Sequence, residues 1–337
     1  MTDPTPRFTN PWRRLPAARA AVQVAYLVFL VAVGVRFARF VAEVMGEGAI
    51  GAARPAPVEG FLPISALLGL KRWLLTGFWD EIHPAGLVIL LAAIGASLVA
   101  RKGFCAWVCP VGAISRGLEW LGHRLLWRRG FPRVPRAADL ALSSLKYVVL
   151  VFFAWQVFVA MSPAAVDAFI GSPYNLAADA KMLLFFTRPS GTAVAVVGGL
   201  AVLSLVVKHA WCRWLCPYGA LLGLASLVSP QHVRRDPAAC NDCRACTRAC
   251  PVEIPVHARL HVLSSECTGC LSCVAACTVP DCLGVTLRGR RALSPWLVPA
   301  GVLGVMLGSW AVARAAGFWE TSVPAAAFRW AYRAMGL

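Results

Sequence analysis

Charge is scarce in this chain. Only 15% of its 337 residues are Asp, Glu, Lys or Arg, where an ordinary soluble domain carries about a quarter. With 58% hydrophobic residues and a mean hydropathy of +0.65, that scarcity excludes a chain whose whole surface faces water. Other absences narrow the chemistry. No Rossmann fingerprint, Walker motif or catalytic-triad signal is present, so nicotinamide or nucleotide binding through a standard loop is not indicated. No Cys-x-x-Cys-His occurs, which removes covalent c-type haem. The six methionines form no Met-rich tract of the kind that often holds Cu(I).

What the chain has instead is long apolar runs, at 19–45, 83–100, 140–161, 192–208 and 294–316. Crossing the hydrocarbon core takes about 20 residues at 1.5 Å each. Several runs reach that length, and the others draw on flanking apolar residues. The first is too long for a signal-peptide core and reads as an uncleaved anchor. Segment 61–75, with Pro63, Lys71 and Arg72, reads as interfacial or re-entrant.

Basic charge then sets orientation. The net charge of +17 could suggest a nucleic-acid partner, but its distribution points elsewhere. Segments 1–20, 101–138 and 208–292 hold 4, 8 and 10 Lys/Arg. The other loops and the C-terminal segment hold seven in all. Under the positive-inside rule the three basic segments are cytoplasmic and the C-terminus is periplasmic. Arg36, Arg39, Lys146 and Arg314 fall within spans, mostly near ends from which they snorkel. All thirteen cysteines lie in the segments assigned to the reducing side, so thiolate ligation is expected rather than disulfides.

Eight of them form two runs. Cys240-Asn241-Asp242-Cys243-Arg244-Ala245-Cys246 continues to Cys250 and Pro251, the spacing of a bacterial [4Fe-4S] run. Cys267, Cys270, Cys273 and Cys277 repeat it, with Thr278 in place of the proline. In this arrangement the fourth cysteine of each run ligates the other cluster. Cluster one takes Cys240, Cys243, Cys246 and Cys277; cluster two takes Cys267, Cys270, Cys273 and Cys250. Cys282 is the rival to Cys277. A four-thiolate zinc site uses pairs of Cys-x-x-Cys, but it does not account for two complete four-cysteine runs.

Four more cysteines lie in an internal repeat. Phe104-Cys105-Ala106-Trp107-Val108-Cys109-Pro110-Val111-Gly112-Ala113 matches Trp211-Cys212-Arg213-Trp214-Leu215-Cys216-Pro217-Tyr218-Gly219-Ala220. Each copy follows an apolar run, which indicates a duplicated two-helix unit in parallel orientation. Cysteines four apart share a helix face, and the following proline breaks the helix. Duplication would bring Cys105, Cys109, Cys212 and Cys216 towards one axis. Three readings stay open: small packed cysteines, a redox-active dithiol, or a further metal or Fe–S site, the last favoured by converging soft ligands. His83, at the start of the second run, could bind a quinone carbonyl or a haem, though a solvated or capping histidine is commoner. Trp107 and Trp214 read as ordinary interfacial tryptophans.

These motifs resemble the membrane-bound polyferredoxin family. It includes the quinol-oxidising H subunit of periplasmic nitrate reductase systems, the cytochrome-oxidase-associated FixG/RdxA proteins and the C-terminal half of the nitrous-oxide reductase accessory protein. It also includes YccM-type members, whose Ile-His-Pro-Ala-Gly and Ser-Pro-Tyr-Asn segments recur here at 82–86 and 172–175. The resemblance covers roughly residues 60–285. It implies membrane electron transfer, often between the quinone pool and a partner protein. The β-sandwich-like domain that ends FixG-type relatives has no counterpart in residues 318–337.

The expected fold is membrane α-helical, with about five transmembrane helices and a cytoplasmic α+β two-cluster ferredoxin domain. The expected parts are an N-terminal segment 1–18, a duplicated membrane domain 19–231, the 2[4Fe-4S] domain 232–288, a fifth transmembrane helix 289–316 and a periplasmic tail 317–337. The expected activity is that of an electron carrier or quinol-linked oxidoreductase subunit in the bacterial inner membrane. Its partners are membrane lipid, a quinone or membrane redox donor, and a redox partner protein, with no nucleic acid. The alternative is a copper reductase or assembly factor for a respiratory enzyme.

Overall fold

The computed structural model describes residues 10–337 apart from Arg129, Arg133 and Arg290. Residues 1–9 of the expected N-terminal segment lie outside the described residues. In chain order the elements used below are α1 (Leu15–Met45), α2 (Pro63–Thr76), α3 (Pro84–Ala100), α4 (Gly103–Trp107), α5 (Pro110–Leu125), α6 (Arg136–Trp155), α7 (Pro163–Ile170), α8 (Pro173–Leu176), α9 (Ala178–Thr187), α10 (Gly191–Val206) and α11 (Pro217–Ser226). Then come β1 (Gln231–Arg235), α12 (Ala245–Arg248), α13 (Ser272–Ala275), β2 (Leu283–Leu287), β3 (Arg291–Leu293), α14 (Leu297–Ala315) and α15 (Ala325–Ala334).

Proline sets many of these starts. Its fixed φ suits the first helical turn, where its missing N–H is not needed, and it opens α2, α3, α5, α7, α8 and α11. Three stretches, Pro11–Met45, Arg136–Ala160 and Leu297–Ala315, are long and apolar enough to cross a membrane. No more than 22% of each apolar window is buried. Val24, Val28, Val148, Val151 and Leu307 point outward, as on a helix solvated by lipid. The expected span 192–208 is α10, which bends by 73° from α9. Pro189 stands at that break and cannot continue the ladder. The expected span 83–100 is α3, whose 17 residues reach about 26 Å, short of a ~30 Å hydrocarbon core. The described residues therefore give three candidate spans, or four with the bent pair, against about five expected.

The chain forms two compact units, one of residues 1–26, 94–146 and 201–305, the other of 27–93, 147–200 and 306–337. In the first, β1 pairs antiparallel with β2, placing Val233 opposite Val285, and β2 pairs with β3. Val233, Val256, Val262, Val274 and Val285 are buried here. All thirteen cysteines belong to this unit.

In the second unit Phe37, Phe40 and Val44 of α1 pack with Val58, Phe328 and Tyr332. The segment expected as a tail is thus partly a helix: α15 buries Phe328, Ala331 and Tyr332. Lys71 of α2, read as part of an interfacial segment, is buried beside Leu68. Its ammonium donates to the carbonyls of Val157, Phe158 and Met161. Those carbonyls lie where α6 ends in a π-helical turn, and a cation satisfies groups left without helical partners.

Candidate functional site

The two cysteine runs share one backbone. Asp242 and Gly269, each just before the second cysteine, have φ of +53° and +62°. Arg244 and Leu271, just after it, have φ of +58° and +59°. The short helices α12 and α13 follow. A non-glycine residue held left-handed costs about 1–3 kcal/mol and persists where the surroundings require it. Here it curls each run around a common centre. Cys240, Cys243, Cys246 and Cys277 line one cavity, together with Cys282. Burial, and then Cys270 and Cys267, push the Cys250 thiol up to about 12. Cys273 is raised by burial and then by Cys270, Cys250 and Cys267. The fourth cysteine of each run thus sits with the first three of the other. A thiol-lined cavity between turns of this kind fits an iron–sulfur group.

The two quartets differ in surroundings. Cys243 is exposed and the first cavity opens to the surface. The second run is held down at each step. Asn10 donates to the carbonyls of Val274 and Cys277 at 2.8 and 2.9 Å, closing the end of α13. Arg19 donates to Cys270 O at 2.9 Å. The Lys102 amide donates to Cys267 O, and the Trp107 indole to Gly269 O at 3.2 Å. A Cβ on Gly269 would lie 2.7 Å from Ala100 O, so only glycine permits this approach. Glu266 pairs with Lys102 at 3.2 Å and Lys146 at 2.6 Å, and Lys146 also donates to Arg213 O. Burial raises the Glu266 carboxyl, but Lys102 and Lys146 outweigh it and hold the group below its ordinary value.

The four repeat cysteines are brought into one neighbourhood. Cys109 and Cys216 each cap a helix in extended conformation, with Pro110 and Pro217 at the first helical position. The breaks fall where the prolines require them. Gly112 is needed because a Cβ there would meet Cys105 O at 2.2 Å. The halves are not equivalent. Burial, then Cys109, raises Cys105 well above its ordinary value, and burial, then Cys212, pushes Cys109 up to about 12. Burial opposes ionisation of Cys212 as well, but a hydrogen bond from His209 prevails and lowers it. His209 donates to Glu119 Oε2 at 3.0 Å. Burial disfavours its charged form, yet hydrogen bonds to Cys212 and Glu119 raise it to about 9. One thiolate-leaning sulfur therefore stands among thiols that are held protonated.

Trp107 and Trp214 are not interfacial as expected. They are buried at 0% and 5% exposure, and the Trp214 indole donates to Asp139 Oδ1. Lys146 does not snorkel: it is fully buried in its ion pair. A charge inside an apolar run was the available signal for its importance. Glu266, beside Cys267, and His209, beside Cys212, carried no signal of their own.

His83 is not with the cysteines. It lies in the second unit, neither solvated nor exposed. Arg54 donates to its Nδ1 at 3.1 Å, and its Nε2 meets Asn175 O at 2.9 Å. Arg54 bridges Glu59 and Asp179, all three buried, and Tyr332 donates to Asp179. The Gly86 amide donates to Glu59 Oε2 at 3.0 Å. The His-Pro-Ala-Gly and Ser-Pro-Tyr-Asn segments thus meet in one sealed ionic network.

Helices of spanning length and a thiol-lined cavity on a double cysteine run mark the class of membrane iron–sulfur proteins. Comparison with known proteins agrees. A family model described as "4Fe-4S binding domain" matches residues 82–129 and again 190–235, once on each repeat copy. A second, "4Fe-4S dicluster domain", matches residues 232–278. The chain is 39% identical over 328 residues to the putative electron transport protein YccM of Escherichia coli K12, covering 95% of this chain and 91% of that protein. It is 31% identical to the methylamine utilization ferredoxin-type protein MauN of Methylorubrum extorquens, over 71% and 79% of the two chains. It is 30% identical to the ferredoxin-type protein NapH of E. coli K12, over 61% and 70%. No solved structure matches. The chain belongs to the membrane-bound polyferredoxin family of electron-transport proteins.

Proposed function

We propose that the chain is a one-electron relay between a membrane donor, the quinone pool or a redox protein, and a partner that docks at the exposed edge near Cys243. Two [4Fe-4S] groups would supply the one-electron chemistry. Cys267, Cys270, Cys273 and Cys250 would hold the inner one; Cys240, Cys243, Cys246 and Cys277 would hold the outer one. The observation that carries this reading is the seating of the Cys267–Cys270 loop on the Cys105–Cys109 segment. It rests there through Trp107, Lys102 and Gly269. A short, rigid path from repeat cysteines to inner quartet is what a relay requires.

The chain's own residues do the positioning. Trp107 and Leu271, both nearly fully buried, exclude water from the inner quartet. Arg19 and Asn10 neutralise carbonyl dipoles around it. Cys105, Cys109, Cys212 and Cys216 form the membrane-side end of the path, with room in the reading for a further metal or Fe–S site. A cytoplasmic position for the ferredoxin segment follows from the distribution of Lys and Arg under the positive-inside rule.

Anaerobically purified protein should contain about eight iron and eight sulfide per chain for two clusters, and more if the repeat cysteines hold another. Electron paramagnetic resonance during quinol titration should show the clusters becoming reduced. Clusters that no quinol reduces, and that reduce no quinone, would remove the quinone half. A second reading, copper reduction for enzyme assembly, is favoured by one feature: the lowered Cys212 thiol among three others. Copper-dependent spectra abolished by Cys212→Ser and Cys216→Ser would support it.

A further inference from the structure

The cavity of the outer quartet is lined by five cysteines, and a [4Fe-4S] group takes four thiolates. The fifth is Cys282, which is 2% exposed and donates its S–H to Asp236 O at 3.7 Å. It lines this cavity together with Cys240 and Cys277, the two cysteines that, after burial, push its thiol up. Its backbone is fixed independently of either run. The Asp236 amide donates to Cys282 O at 2.8 Å, and the next residue, Leu283, pairs with Arg235 in the sheet. A sulfur held there by strand register stays in place when a run loses a ligand.

We infer that Cys282 is a reserve ligand of the outer cluster, able to replace Cys240 or Cys277 but not Cys243 or Cys246. The inference rests on the reading that this quartet holds a [4Fe-4S] group. The exchange needs no electrons. Cys282 gives up its thiol proton and binds iron as thiolate, while the displaced sulfur leaves the iron and takes a proton. Where the displaced residue has been removed, the proton goes to solvent. The position suits the exposed cluster, whose ligands are the more open to oxidants.

The test uses the full-length membrane protein, purified anaerobically, with iron and acid-labile sulfide counted and the reduced paramagnetic spectrum recorded. Cys277→Ala and Cys240→Ala should each keep the wild-type iron count, with a shifted outer-cluster spectrum. Adding Cys282→Ala to either should remove about four irons. Cys243→Ala and Cys246→Ala should lose those irons with Cys282 intact. Cys282→Ala alone should keep the full count. A full loss in both Cys277→Ala and Cys240→Ala, equal to that of the double variants, would overturn the inference. So would loss in Cys282→Ala alone, which would make Cys282 the resident ligand. Wild-type protein without an iron–sulfur spectrum would instead strike at the underlying reading.

Discussion

Both units of the chain bury ion pairs, but they differ in what stands beside them. The first holds every cysteine, with five of them around one cavity and single donors such as Trp107 and Arg19 on the loop of the second run. The second holds none. Five of its buried polar groups, Arg54, Glu59, His83, Asp179 and Asn175, are joined in one network. A thiol cavity keeps ligand capacity in reserve, whereas a saturated salt-bridge network has none left. Redox chemistry belongs to the first arrangement. The second clamps helix starts and the C-terminal helix together.

This division can be attacked from either side. The largest effect is expected for Arg54→Ala, which leaves Glu59 and Asp179 buried without their cation. Losing one partner of a buried ion pair costs about 3–5 kcal/mol, read as a large drop in melting temperature. Iron per surviving chain should be unchanged; a loss of iron would show that the contrast is false. Next comes Gly269→Val, where a Cβ would collide with Ala100 O in a left-handed residue. It should lower the iron count by about four. Trp107→Phe keeps an aromatic ring but removes the donor to Gly269 O, a hydrogen bond that alone is worth about 1 kcal/mol. It should slow reduction of the clusters by quinol more than their oxidation by a soluble dye. The smallest effect is on acid stability. Burial opposes ionisation of Glu59, but Arg54 prevails and lowers its pKa. Its contribution is therefore complete above the unfolded value of about 4.3 and is lost as pH falls through the lower folded value. Melting temperature should fall with acid in the wild type and fall less in Glu59→Gln.

The cysteine chemistry was legible because ligand geometry dictates spacing. The first three cysteines of each run have two residues between neighbours, and the fourth crosses over, so the grouping of Cys240, Cys243, Cys246 and Cys277 around one cavity could be read from spacing. Proline after Cys109 and Cys216 also announced its break. Span lengths were less legible. Composition cannot reveal that Pro189 turns one apolar run by 73° or that α3 stops at Ala100. Tertiary partners were illegible. Lys102, Lys146 and Glu266 are 44 and 120 residues apart in sequence, and nothing local marks them as one cluster. His83 stood out by type, yet its Arg54 and Asp179 partners sit on segments that read as plain loop or helix.

Asn10 makes one more point. It is 267 residues from Cys277, yet its amide closes the helix of the second run. During synthesis that contact cannot form until most of the chain has left the ribosome. Contacts so distant in sequence form late, because the loop they close must be ordered first. Asn10 therefore waits through most of the chain's synthesis for the segment that it closes. Asn10 is a fastener for a site encoded near the other end of the chain.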